Sequence, residues 1–216
     1  GALGLFNALA YTRDMGVRAA SAAIVAGMCQ APRVLGRFLD AGGLFGILAL
    51  IRGVSQAGSQ ADGAKENGHG EDTTAMTRQL ELEDTRIRVS AAQSLCDVMR
   101  EREDTAERLM DAGGVEVLAP IAVDARYGPV PRHVKQQYQE YLAQRKSEVF
   151  KEELSAAASR CLGASLSSLC CSALARGCSH APLLHRLHAM EPPDSALSDT
   201  RGRRRPVLQA IIERVG

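Results

Sequence analysis

Apolar residues recur at three- and four-residue steps through much of the chain, which is the signature of helices with one buried face. Val17, Ala20, Ile24 and Met28 mark a first helix across residues 14–29. Val34, Leu35, Phe38 and Leu39 mark a second, opened by Pro32 and stopped by Gly42 and Gly43, because glycine enters the left-handed conformation without a side-chain penalty. Residues 44–51 form a short, strongly apolar third stretch. The same order then returns: Ile87, Ala91, Leu95 and Val98 on one face, Leu109 and Met110 on the next, Gly113 and Gly114 as the stop, and Val115, Val117, Leu118 and Ile121 after it.

The two blocks are copies. Residues 28–43 read MCQAPRVLGRFLDAGG and residues 99–114 read MREREDTAERLMDAGG, so they superpose without a gap at an offset of 71. Residues 1–12 align with 42–53 at an offset of 41, which sets the expected period near 41 and leaves an insertion of about 30 residues in the larger spacing. The expected organisation is therefore the end of a preceding unit (1–12), a unit (13–53), a flexible acidic insertion (54–83), a second unit (84–124) and a divergent carboxy-terminal unit with a final helix (132–216). Residues 53–71 hold no apolar side chain larger than Val54 and read as a mobile loop. Tyr127 to Pro131 breaks the helical pattern. It resumes from His133 to about Cys171, polar and protruding at first, small and buried after Leu154; Pro182 and Pro192-Pro193 break it again before a helix from Val207 to Val215. Nothing demands a strand, and the fold class expected is all-α.

Composition sharpens this picture. Hydrophobic residues make up 45% but aromatics only 4%, with no Trp, so the core is Ala, Leu, Val and Ile, as in closely packed helices. A net charge of +1 argues against a polyanion-binding protein, so nucleic acid is not an expected partner. No apolar run approaches the roughly 20 residues that span a bilayer, and no membrane partner is expected. Six cysteines scattered through helical stretches read as reduced, buried thiols, and a cytoplasmic or nuclear setting is the expectation.

These residues resemble the armadillo repeat family: Ala20/Ile24 and Ala91/Leu95 in the long helix, Asp40-Ala41-Gly42 and Asp111-Ala112-Gly113 at the end of the short one, and Gly1-Ala2-Leu3 as the start of the third. HEAT-type repeats are the nearest confounder. The resemblance implies a right-handed α-solenoid of about three repeats that binds other proteins. In peptide-binding members the long helix presents Trp and Asn four residues apart on the concave face. Here the Trp position falls on Ala22, Gln93 and Arg160 and the Asn position on Ala26, Asp97 and Ala164, so that ladder is missing. Residues 111–122, DAGGVEVLAPIA, also resemble a segment of the UCS-type myosin chaperones, which implies a chaperone or co-chaperone as the alternative role.

Candidate sites follow from the same register. Gln93 and Asp97 lie one turn apart on the expected concave face with Arg86 and Arg100 nearby, a charged patch suited to a partner segment. Tyr138, Tyr141 and Leu142 share a face suited to packing on another helix, of this chain or of a partner. Arg37/Asp40 and Arg108/Asp111, three apart in each copy, read as structural pairs. Cys161, Cys170, Cys171, Cys178, His180, His185 and His188 invite a zinc or thiol-enzyme reading, but they offer no tight Cys-x-x-Cys pair and no orienting third group. Residues 201–205, RGRRR, read as a solvated basic loop or a targeting tract. The expectation is a non-enzymatic module without metal or cofactor, whose partner is a protein helix or extended segment.

Overall fold

The computed structural model describes residues 10–53, 70–127, 129–144, 152–190 and 207–215. The described residues are helical, with no β-strand among them. In chain order the helices are α1 (Met15–Cys29), α2 (Pro32–Asp40), α3 (Gly43–Arg52), α4 (Gly70–Glu101), α5 (Thr105–Asp111), α6 (Gly114–Ala122), α7 (Arg132–Gln144), α8 (Glu152–Gly177), α9 (Ala181–Ala189) and α10 (Val207–Val215), with a 3₁₀ turn at Ala125–Tyr127. The long helices pack in sequence, α1 on α4 and α4 on α8. The apolar helix of each copy wedges against the long helix that follows it, α3 on α4 and α6 on α8. One hydrophobic core runs from Ala10 to Ile211, and two smaller clusters lie under α7.

Each glycine pair does two separate jobs. Gly42 (φ 87°) and Gly113 (φ 70°) take the left-handed turn that ends the short helix. Gly43 and Gly114 are required by contact: a Cβ on Gly43 would lie 2.4 Å from the Phe38 ring, and one on Gly114 2.3 Å from Leu109 Cδ1. Phe38 and Leu109 occupy the same place in the two copies, so the glycine is the hole and the large residue the knob. The chain turns 87° between α2 and α3 at this step.

A second device recurs three times. A helix leaves its last carbonyls without partners, and a donor beyond the helix must meet them. Arg18 of α1 donates to the Ala10 carbonyl at 3.0 Å, and Arg88 of α4 donates to the Ile51 carbonyl at 2.8 Å. Ser167 Oγ and Cys171 Sγ of α8 donate to the Ala122 carbonyl at 2.9 and 3.5 Å. Ala10, Ile51 and Ala122 are equivalent positions at the offsets of 41 and 71, so each long helix donates to the equivalent carbonyl before it. Arg18 is the most committed of these donors. Only 2% exposed, it also donates to the Leu50 carbonyl at 3.1 Å and pairs with Asp84 at 3.2 Å. Burial lowers its pKa, and Asp84 works against that shift.

Several expectations are corrected here. Residues 70–83, expected to belong to the flexible insertion, form the first turns of α4. They are rich in helix formers, and Leu82 is buried against Tyr141, Leu154, Ala158 and Leu162. Residues 54–69 lie outside the described residues, as do residues 1–9 of the expected preceding unit and the tract at 201–205. On α1 the fully buried residues are Arg18, Ser21, Ala22 and Val25; of the expected stripe, Met28 packs half-buried on the core and Val17 is half-buried, while Ala20 is exposed and Ile24 is 50% exposed. The pattern from His133 onward is two helices, not one, and α7 does not protrude but lies along α8. Arg108 pairs across the copies with Asp40 at 2.9 Å and with Asp104 at 2.8 Å, which displaces the local pairing expected for it.

A candidate partner groove on the long helices

The long helices α1, α4 and α8 turn one side toward a shared open groove. Its narrower stretch, about 480 Å³, is lined by Ala26 and Gln30 of α1, by Arg86, Ser90, Ser94 and Asp97 of α4, and by Leu162 of α8. The wider stretch, about 910 Å³, lies between α4 and α8 and is bordered by Tyr127, by Lys135, Tyr138 and Gln139 of α7, and by Glu213 of α10. Its floor on α8 is Cys161, Ala164, Ser165, Ser168 and Leu169. Val89 and Gln93 line both stretches, so α4 is the shared wall. Tyr127 reaches the groove because α8 has glycine at 163; a Cβ there would come within 2.4 Å of the ring.

The groove carries balanced charge on a mixed surface. Gln93 Nε2 donates to Asp97 Oδ1 at 3.1 Å, and Arg100 donates to the same oxygen at 3.3 Å. Arg86 pairs with Glu83, donates to the Tyr141 hydroxyl, and places its guanidinium 5.2 Å from the centre of the Tyr141 ring. Arg86 and Asp97 line the narrower stretch and Lys135 and Glu213 the wider one, so neither sign dominates.

Gln93, Asp97 and Arg86 come together as the register implies, and Arg100 adjoins them. The three Asn-equivalent positions, Ala26, Asp97 and Ala164, all line the groove. Ala22 does not: it is buried between helices at 3% exposure. Arg160 is exposed on α8 but is not among the groove's lining residues. Tyr138 borders the wider stretch. Of the two alternatives for Tyr141, a helix of this chain or of a partner, the structure shows the first: it is 6% exposed and packs on α4 and α8 of its own chain, so it is a core residue and not an exposed partner-binding one. Val89, Ser90, Gln30, Ser165, Ser168, Lys135 and Glu213 were not anticipated. Val89, Ser90 and Gln30 lie three or four residues from Gln93 or Ala26, where helical spacing was a usable signal.

Burial pushes the Cys96 thiol up to about 11 and the Cys170 thiol further still, and it raises Cys29, Cys161 and Cys178 as well. At neutral pH these groups are thiols, and the thiolate is what attacks and what binds metal. Among the described residues, no group of three or more His, Cys, Asp and Glu side chains is gathered as a metal site. His185 and His188 are exposed on α9, while Cys170 and Cys171 are buried inside α8. No family model matches the sequence, and no curated protein or solved structure matches it either.

Proposed function

We propose that the chain is an armadillo-like, right-handed α-solenoid of about three repeats that serves as a non-enzymatic protein-binding module, holding a partner segment in the groove of its long helices. The observation that carries this reading is the threefold recurrence of one contact. A donor of each long helix meets a carbonyl at an equivalent position, Ala10, Ile51 and Ala122, and α4 packs on both α1 and α8. A stack of that kind presents a rigid, extended trough, and such troughs bind other proteins. With no Trp-Asn ladder, the trough lacks the slots used for nuclear import signals. Its small floor residues and balanced charges suit a segment of mixed character.

Site-specific photocrosslinking tests this. A benzophenone side chain at Gln93 or Ser168 should crosslink a partner in cell extract, and one at Glu107 on α5 should not. Gln93→Ala with Asp97→Ala should weaken capture of that partner by at least tenfold while the circular dichroism spectrum is unchanged. Equal crosslinking from all three positions would remove the groove as the binding surface.

A further inference from the structure

The helix α7 sits on the same side of α4 and α8 that forms the open groove. Val134 rests on Ala157 and Cys161, and Tyr141 rests on Leu82, Leu154, Ala158 and Leu162. Arg86 and Leu162, which hold Tyr141, also line the open stretch beside it. The surface under α7 and the empty groove are therefore one continuous surface.

We infer that α7 is an exchangeable occupant of this groove, and that the partner it stands in for is an amphipathic helix with apolar side chains at positions i, i+4 and i+7, the last a tyrosine. This rests on the groove being the binding surface. The chemistry is read from α7 itself. Val134, Tyr138 and Tyr141 form one narrow stripe at that spacing, and His133, Lys135, Gln136, Gln139 and Glu140 on the remaining faces are exposed. Leu142 is exposed off this stripe, and one narrow apolar stripe on an otherwise largely polar helix is the form of a helix-in-groove ligand. The tyrosine at i+7 is read by a dedicated group. Arg86 lies over the ring of Tyr141 and donates to its hydroxyl, while Glu83 holds the guanidinium from the other side. Tyr138 stacks on Tyr141 with ring centres 6.3 Å apart and adds the second aromatic contact.

The experiment uses a labelled peptide of residues 132–144, RHVKQQYQEYLAQ, titrated by fluorescence anisotropy into the full chain and into the full chain carrying Val134→Ala, Tyr138→Ala and Tyr141→Ala. The loosened chain is expected to bind the peptide at least tenfold more tightly than the unaltered chain. The peptide with Tyr141→Ala, or a loosened chain that also carries Arg86→Ala, should lose at least tenfold. Equal binding to both chains, or to neither while the loosened chain keeps its helical circular dichroism, would overturn the inference. If the loosened chain unfolds, hydrogen exchange of the unaltered chain decides. Amides of α7 exchanging at least tenfold faster than those of 154–174 support an exchangeable helix, and equal protection overturns it. A failed peptide titration beside intact crosslinking from Gln93 would sink only the role of α7, whereas loss of that crosslinking would sink the groove.

Discussion

The copies at 13–53 and 84–124 share a register but not a fate. Ala91, Leu95 and Val98 are fully buried, while their equivalents Ala20, Ile24 and Gly27 face outward. On the opposite flank the copies agree: Ser21 and Val25 of α1 are buried, as are Ala92 and Cys96 of α4. The difference is in neighbours. α4 is packed on one side by α1 and α3 and on the other by α8, whereas α1 is flanked among the described residues by α4 and its own short helices. In a stacked architecture a residue's burial belongs to the pair of units that share it, and energy terms should follow the interface rather than the letter.

The largest effect expected tests the contact that joins the copies. Arg18→Ala leaves the Asp84 carboxylate and the carbonyls of Ala10 and Leu50 without this donor in a nearly dry site. Breaking a buried pair from one side costs about 3–5 kcal/mol. Arg88→Ala, at a partly exposed position with one carbonyl at stake, should cost about 1 kcal/mol. Urea denaturation of both variants checks the ordering. A smaller loss for Arg18→Ala than for Arg88→Ala would mean that the two caps are not the same device in different degrees of burial.

The next tests the two flanks directly. Leu95→Ala opens a cavity and should cost about 2–5 kcal/mol, while Ile24→Ala at the equivalent place should stay within about 0.5 kcal/mol. Comparable losses at both sites would show that the outer flank of α1 is covered in solution.

That asymmetry also marks what was legible in the sequence. The Gly-Gly stops and the short second helices are legible directly, because each is fixed by contacts within one copy, such as Gly114 on Leu109. Local pattern does not place the stripe on α1, because Ile24 and Leu95 are alike in character and differ in what stands beside them. The start of α4 is not legible locally because Met76, Leu80 and Leu82 are scattered in a polar run and only Leu82 is buried, against a surface formed by Tyr141 and Leu154 more than fifty residues away. The groove was half legible for the same reason. Gln93 and Asp97 follow from helical spacing, whereas Lys135 and Glu213 arrive through tertiary packing that no local pattern carries.

A pH titration separates the copies more finely. Cys96 occupies the place that Val25 holds in the first copy, and both are buried. Burial raises the Cys96 thiol from 9.0 to about 11, so the folded chain keeps a proton that the unfolded chain releases above pH 9. Stability from this group is complete below pH 9 and falls as pH rises toward 11. Cys96→Val should change stability little at pH 7 and flatten the decline between pH 9 and 11. Cys170, raised in the same way, will leave a residual slope. Thermal unfolding of the two proteins at pH 7, 9 and 10.5 measures it, and an unchanged slope would show that Cys96 ionises without regard to its burial.

The smallest effect expected is a gain. Gly27 sits inside α1 at the position equivalent to Val98, yet a Cβ placed on it meets nothing within 4 Å. Its backbone is right-handed helix, so alanine adopts the same conformation without strain, and glycine in a helix interior gives up more chain entropy on folding than alanine does. Gly27→Ala should therefore stabilise the chain by about 0.4–1 kcal/mol, seen as a rise in the urea midpoint with an unchanged slope. In the second copy the equivalent side chain is held by neighbours on every side, and Val98→Gly should lose more than the first copy gains. If Gly27→Ala is instead destabilising, the outer flank of α1 meets a close neighbour in solution, and the contrast between the two copies narrows to the contacts within each.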